Sequence, residues 1–242
     1  MTRRRWIADA FTETTAALRG AQAEHLARVL RATPGTEADI VAGGSVYRAT
    51  IASVSNEEVV FTLVEPIAAE SALPITLVLA VFKFDRMEWA IEKATELGVA
   101  AIVPVICRRT EKHLAQAADK RAERWRRIVQ EAAKQSRRAD LPILEDPIAL
   151  PAYLQKPSQA HRILLAENER DTSLRTCIES ASASTQSDQP QIELAIGPEG
   201  GWTSDEIALF TQHNWQSASL GPRILRAETA AIAALAIASA LF

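Results

Sequence analysis

Three glycines, a carboxylate and a helix start stand within ten residues at Gly197-Pro198-Glu199-Gly200-Gly201-Trp202-Thr203-Ser204-Asp205-Glu206. An apolar run, Ile192 to Ile196, leads straight into them and reads as a strand. Glycines so close together let the backbone take positive φ and approach a ligand with no Cβ in the way. Thr203 with Glu206 three residues on fits a capping box, so a helix begins where the loop ends. A tight loop between the carboxyl end of a strand and a helix is where open α/β sheets bind small molecules. The loop lacks the GxGxxG spacing of a dinucleotide fingerprint and comes late in the chain, which argues against a Rossmann site.

A second polar constellation lies in Leu220-Gly221-Pro222-Arg223-Ile224-Leu225-Arg226-Ala227-Glu228-Thr229. Arg226, Glu228 and Thr229 stand at the start of the last helix, read as Ala230 to Leu241, where backbone N–H donors are unpaired. On this pattern alone Glu228 complements the helix dipole as readily as it does chemistry, and Arg226 is as readily a solvated loop residue. The helix is nearly all Ala, Ile and Leu, so burial almost all round is expected.

Other chemistries find no support. No GxxxxGK[ST] phosphate loop occurs, and His25, His113, His161 and His213 form no HExxH pattern, so no metal is expected. Cys107 and Cys177 lack CxxC spacing and read as free thiols of a reducing compartment. The net charge of −3 offers nucleic acid no global attraction, but the charge is uneven. Residues 119–138 carry eight basic side chains against three acidic ones, and residues 3–31 carry six arginines against three acids. Such patches supply phosphate contacts or simply solvate a helix face. The basic start has no apolar core of a signal peptide, and the longest apolar run, about thirteen residues, is too short to span a bilayer. A cytoplasmic, soluble protein with no membrane partner is expected.

The elements that would hold these loops fall into two sets. Residues 1–70 read as a small β-barrel around one helix, Glu24 to Leu30, with Leu26, Val29 and Leu30 on one face. Its strands are Glu37 to Val41, Val46 to Val54 and Val59 to Val64, with turns at Gly43-Gly44 and Ser55-Asn56-Glu57. Residues 74–242 alternate strands and helices as an α/β domain with a mainly parallel sheet. Ile75 to Phe82, Ala101 to Ile106, Ile163 to Ala166, Ile192 to Ile196 and Ser217 to Leu220 are its strands. Asp85 with Glu88 reads as a helix cap and Gly98 as the stop. A basic amphipathic helix is expected over Ala118 to Ser136, and Ser180 to Pro190 reads as a surface loop.

Several segments together carry a family resemblance. Strand-GPEGGW-T-S-D-E followed by LG-P-R-ILR-A-ETA resembles the carboxy-terminal half of bacterial 16S rRNA uridine N3-methyltransferases of the RsmE type. Asp85 to Val99 resembles the D-(R/K)-ME-x-x-I-x-KA-x-ELGV helix of that family, and Glu131 to Arg138 its A-x-EQSGR segment. His25-Leu26, Val29-Leu30-Arg31, Gly35 and Tyr47 to Ile51 resemble its amino-terminal domain. Phe84 and Arg137 stand where the family usually has glycine.

The resemblance implies a SPOUT-type trefoil-knotted domain over 74–242, preceded by a PUA-like RNA-binding barrel over 1–70. It implies S-adenosyl-L-methionine as cofactor, held bent by three loops that match 165–167, 197–201 and 220–229. The cofactor-binding residues are then Leu165, Ala166, Glu167, Gly197, Pro198, Glu199, Gly200, Gly201, Leu220, Gly221, Ile224, Leu225, Arg226 and Thr229. Uridine N3 carries an imide proton and becomes nucleophilic only as that proton leaves, so a stabilising cation helps. Arg226 is the first candidate for it, with Arg138 and Glu228 behind. Arg3, Arg4, Arg5, Arg28, Arg31 and Arg137 would contact RNA. Partners implied are 16S rRNA or the 30S subunit and a second copy of the chain in a homodimer. Rival readings are a ribose 2′-O- or guanosine N1-methyltransferase, or a non-enzymatic ribosome-assembly factor. The two ligand loops argue against the last.

Overall fold

The computed structural model describes residues 5–68, 72–184 and 190–242. These group into two compact units. One comprises the described residues of Met1–Ser71 with Ala133–Leu141, the other those of Ala72–Ala132 and Pro142–Phe242.

In the first unit the elements run β1 (Arg5–Ile7), β2 (Ala10–Phe11), β3 (Thr15–Arg19), α1 (Gly20–Glu24), a π-helical turn (His25–Val29), β4 (Glu37–Ala42), β5 (Ser45–Val54) and β6 (Glu58–Ile67). Their sheet is ordered β1-β4-β5-β6-β3-β2. It curls shut through one short segment: Ala8 N donates to Val41 O on β4, while the next residue, Asp9, donates to Ala17 O on β3. Alternate residues point inward, and Leu18, Ile40, Ile51, Val59 and Phe61 fill the interior. The helix differs from its expected form. It begins at Gly20, and the wider π turn over 25–29 leaves Val29 exposed while Leu26 is buried.

The second unit runs β7 (Leu73–Ala80), α2 (Phe84–Glu96), β8 (Val99–Ile106), α3 (Lys112–Gln135, whose last turn groups with the first unit), β9 (Ile143–Leu144), β10 (Ile148–Ala149), α4 (Leu150–Leu154), β11 (His161–Leu165), α5 (Leu174–Ser184), β12 (Ile192–Ile196), α6 (Ser204–Gln212), β13 (Gln216–Ala218) and α7 (Ala227–Ser239). The sheet is parallel throughout, in the order β10-β8-β7-β12-β11-β13, with β9 also on β8. Both faces are covered, which is why its strands read as unbroken apolar runs. On one face Ile75, Leu77 and Leu79 pack with Met87, Ile91, Trp125 and Leu235; on the other Val78 and Ala80 pack with Leu154, Phe210 and Trp215.

Several boundaries move. Lys83, not Asp85, occupies the N-cap of α2, and Asp85 lies inside the first turn. Phe84, in place of the family glycine, packs edge-on against Trp125 with ring centres 5.8 Å apart, which draws the helix start forward. Gly98 does end α2, at φ +93°. Helix α3 starts six residues before Ala118, and α5 continues to Ser184 with Ala181 buried, so only 185–189 of the expected surface loop fall outside the described residues. Helix α7 is buried on one face, Ala227, Glu228, Ala231, Ala234, Leu235 and Ala238, while Ala236 is exposed and Ile232 and Ala233 only half-buried. The spacing i, i+4, i+7, i+8, i+11 is that of a helix lying on a core rather than within it.

Candidate functional site

The loops that follow β11, β12 and β13 leave the carboxyl ends of three adjacent strands and close around a pocket of about 650 Å³. That size suits a nucleoside-sized ligand. The sequence of each loop fixes its path. At the start of α6 Thr203 Oγ1 accepts from Glu206 N (3.2 Å), and Glu206 Oε2 accepts from Thr203 N (2.8 Å), so the capping box forms as its spacing requires. Glu206 is buried, and its other oxygen takes Arg108 N at 2.8 Å, joining this loop to the one after β8. Trp202 donates its indole N–H to Leu165 O at 2.9 Å, tying the glycine loop to the end of β11. In the β11 loop Glu169 Oε1 accepts from the backbone N–H groups of Arg170, Asp171 and Thr172. Those bonds, Thr172 foremost, hold its carboxyl below the usual carboxylate range.

Two glycines are there for physical reasons. Gly201 has φ +70°, a region that L side chains rarely occupy. A Cβ on Gly197 would lie 3.2 Å from the Trp202 indole nitrogen and press on the bond that holds the loop. Gly200 is more tolerant, since its Cβ would meet only the flexible Arg109 side chain.

Among the pocket residues that sequence reasoning did not name, two arginines brace the glycine loop. Arg109 Nη1 binds Gly200 O and, at 3.4 Å, Trp202 O, clamping the glycine loop from outside. Arg86 of α2 donates to Glu199 Oε1 at 2.5 Å, and its Nε stands 3.9 Å from Glu228 Oε1. One guanidinium thus joins the glycine loop, the start of α7 and α2. Glu228 is buried with Oε2 unpaired, so Arg86 is its only ionic partner among the described residues. Only the DRME match pointed to Arg86, whose partners lie far along the chain; nothing local marks Arg109. Arg86→Met removes the tether and leaves a buried carboxylate short of its partner, an effect of about 1–3 kcal/mol. The expected outcome is a donor dissociation constant raised at least roughly tenfold (~1.4 kcal/mol) with partial recovery in Arg86→Lys, read by calorimetry.

Of the expected cofactor residues, all but Thr229 line the pocket; Thr229 is an exposed residue of α7. Arg226, the N-cap residue of α7, lines it too. Glu228 does not. Glu228 lies behind the lining, and Arg138 is buried against Asp140, to which Nε donates at 3.1 Å. Arg138 belongs to the first unit, with the described residues of Met1–Ser71. In the first unit Arg5 Nη1 donates to Arg137 O at 2.8 Å, and Arg28 pairs with Glu24. Arg137 has φ +58° and Arg31 φ +50°; the family glycine at 137 is explained by that left-handed turn. Arg3 and Arg4 lie outside the described residues. The Cys107 thiol is pushed up by burial and next by the Glu206 carboxylate, so it offers no thiolate nucleophile.

The comparisons with known proteins agree with this geometry. The family described as RNA methyltransferase domain matches residues 69–239, and the RNA methyltransferase PUA domain matches 18–64. The ribosomal RNA small subunit methyltransferase E of Synechocystis sp. is 37% identical over 95% of this chain and 74% of its own length. The protein of that name from Bacillus subtilis is 31% identical, over 93% and 90%. A crystal structure of ribosomal RNA small subunit methyltransferase E from Neisseria gonorrhoeae bound to S-adenosyl methionine superposes with a TM-score of 0.80, at 29% identity over 100% of this chain and 98% of that one. A PUA-like curled sheet, a parallel α/β domain and a pocket on three strand-end loops thus come with whole-length likeness, and the chain belongs to the RNA methyltransferase family, in the group of ribosomal RNA small subunit methyltransferase E.

Proposed function

We propose that the protein transfers a methyl group from S-adenosyl-L-methionine to N3 of a uridine in 16S rRNA. The observation that carries this is the three-loop pocket at the strand ends, with Arg226 at its wall and the glycine loop held open against Trp202. The residues fit the donor. Leu165, Ile196, Leu220 and Leu225 supply apolar walls for an adenine, and the 197–201 backbone supplies donors and acceptors. Glu167, whose carboxylate is not engaged by any other described residue, would take the hydroxyls or the ammonium group. The bound donor supplies an electrophilic methyl carbon. The chain's own part is positioning: the loops orient the reactants, and Arg226 stabilises the negative charge that grows on the uracil ring as the N3 proton passes to solvent water.

The base must leave its stack to expose N3. The amino-terminal barrel, with Arg5 beside Arg137 and with Arg3, Arg4, Arg28 and Arg31, is the RNA-positioning unit in this reading. The assembly is a homodimer: α7 leaves Ile232, Ala233 and Ala236 incompletely covered within one chain, and a second copy would cover them. No described helix is long and apolar enough to cross a membrane, and a cytoplasmic location beside ribosome assembly fits.

The test is direct. The donor and its demethylated product should each raise the melting temperature by binding the native state. Labelled donor with 16S rRNA or 30S particles should yield 3-methyluridine after digestion. No thermal shift at saturating donor would sink the methyltransferase reading; a 2′-O-methyl product would move the protein to another branch. Sedimentation of a fully active monomer would remove the dimer.

A further inference from the structure

Five arginines line the donor pocket: Arg86, Arg109, Arg170, Arg223 and Arg226. Two are spoken for, Arg86 by Glu199 and Arg109 by the Gly200 and Trp202 carbonyls. The guanidinium groups of Arg170, Arg223 and Arg226 make no hydrogen bond or ion pair with any described residue, and all three side chains are exposed. Elsewhere in this unit arginines are neutralised. Glu88 takes Arg121 and Arg124, Asp146 takes Arg126, Glu123 takes Arg127, and Glu193 takes Arg162. Apart from Arg108, the unengaged guanidiniums of the described second unit are those at the pocket.

This distribution has an electrostatic consequence. A sulfonium donor carries two cationic groups and one carboxylate, so it is net cationic: a pocket built for it alone would match one arginine at most and lose from further free arginines nearby. With three unengaged arginines at the pocket and a single carboxylate on the donor, the remaining cations are matched only when anions arrive with the other substrate. The phosphates adjoining a target nucleoside whose base has reached the pocket lie within one nucleotide's length of its mouth. Loop positions 170 and 223 come from the β11 and β13 loops, which bound the pocket on separate strands, whereas Arg226 begins α7.

Resting on the reading above, we infer that Arg170 and Arg223 form a phosphate clamp for the RNA backbone next to the target uridine, with Arg226 left to the base itself. The basic helix α3 is thereby set aside as the main phosphate surface of this unit, since most of its arginines are already held by carboxylates.

The experiment compares wild type, Arg170→Ala/Arg223→Ala, the corresponding double lysine variant and Arg108→Ala. Each is titrated with a 16S rRNA fragment at several salt concentrations, and with donor alone by calorimetry. Losing two contacts to single-stranded RNA lowers the slope of log affinity against log salt by about 1.4. The lysine pair should keep the slope, and Arg108→Ala should leave it as in wild type. Donor affinity of the alanine pair should equal or exceed that of wild type, because two like charges are removed. An unchanged slope in the alanine pair, an equal fall in Arg108→Ala, or a weakened donor would each overturn the clamp. Wild type that makes 3-methyluridine while any of these holds loses only the clamp; wild type that makes none loses the functional reading itself.

Discussion

Arg226→Ala will lower turnover at saturating RNA and donor by roughly 10²–10³, the effect of removing a preorganised donor aimed at developing negative charge. The expectation follows from where the side chain is and what it lacks. It lines the pocket at the N-cap of α7 and forms no ion pair or hydrogen bond with a described residue, so its charge is not spent on the fold. Without a protein partner to lose, the alanine variant should keep the melting temperature of wild type. The salt slope of RNA binding should stay close to wild type if Arg170 and Arg223 take the phosphates. Arg226→Lys should recover part of the rate, since a point charge replaces a planar fork. Raising the pH should recover part of it in the alanine variant as well, because a uridine deprotonated by solvent needs less help. A pH–rate profile on both variants checks this. Equal turnover in wild type and Arg226→Ala would remove the residue from the chemistry.

What the sequence made legible and what it hid divide along physical lines. Interactions three or four residues apart could be read directly: the Thr203–Glu206 capping box and the Gly98 stop both form. Continuous apolar runs gave the parallel strands, because burial on both faces leaves no polar position. Errors arose where a local pattern competes with packing. The spacing of Asp85 and Glu88 imitates a cap, yet the contact of Phe84 with Trp125 sets the start of α2. The composition of α7 implied burial all round, but a residue as small as Ala236 sits on a surface at little cost. The binding loops were legible as glycine-rich strand ends. Their braces were not: Arg86 meets Glu199 across 113 residues, and the Arg109 clamp on Gly200 across 91. No periodicity encodes such a meeting.

Trp202 carries the other large effect, since it serves the fold and the pocket at once. Its ring is buried and lies edge-on to Phe210 with centres 4.8 Å apart, and Phe210 in turn packs edge-on to Trp215 at 5.0 Å. Its N–H holds Leu165 O, and its indole fills the space that a Cβ on Gly197 would need. Trp202→Ala should therefore lower stability by about 3–5 kcal/mol, the range for truncating a buried large aromatic side chain. A protein of ordinary marginal stability barely tolerates that loss. The informative partner is Trp202→Phe, which keeps most of the packing and deletes only the donor, leaving Leu165 O unsatisfied at about 1–3 kcal/mol. If the bond positions the loops, the phenylalanine variant will fold, with a modest drop in denaturant midpoint, and its donor dissociation constant will rise more than tenfold. Gly197→Ala should give the same donor phenotype from the opposite side, by pushing the indole off its acceptor, whereas Gly200→Ala, which meets only the Arg109 tail, should show a smaller change. Denaturant titration with donor calorimetry on the three variants decides it. Wild-type donor affinity in both Trp202→Phe and Gly197→Ala would show that the indole only fills the core and that the loops hold their shape without it.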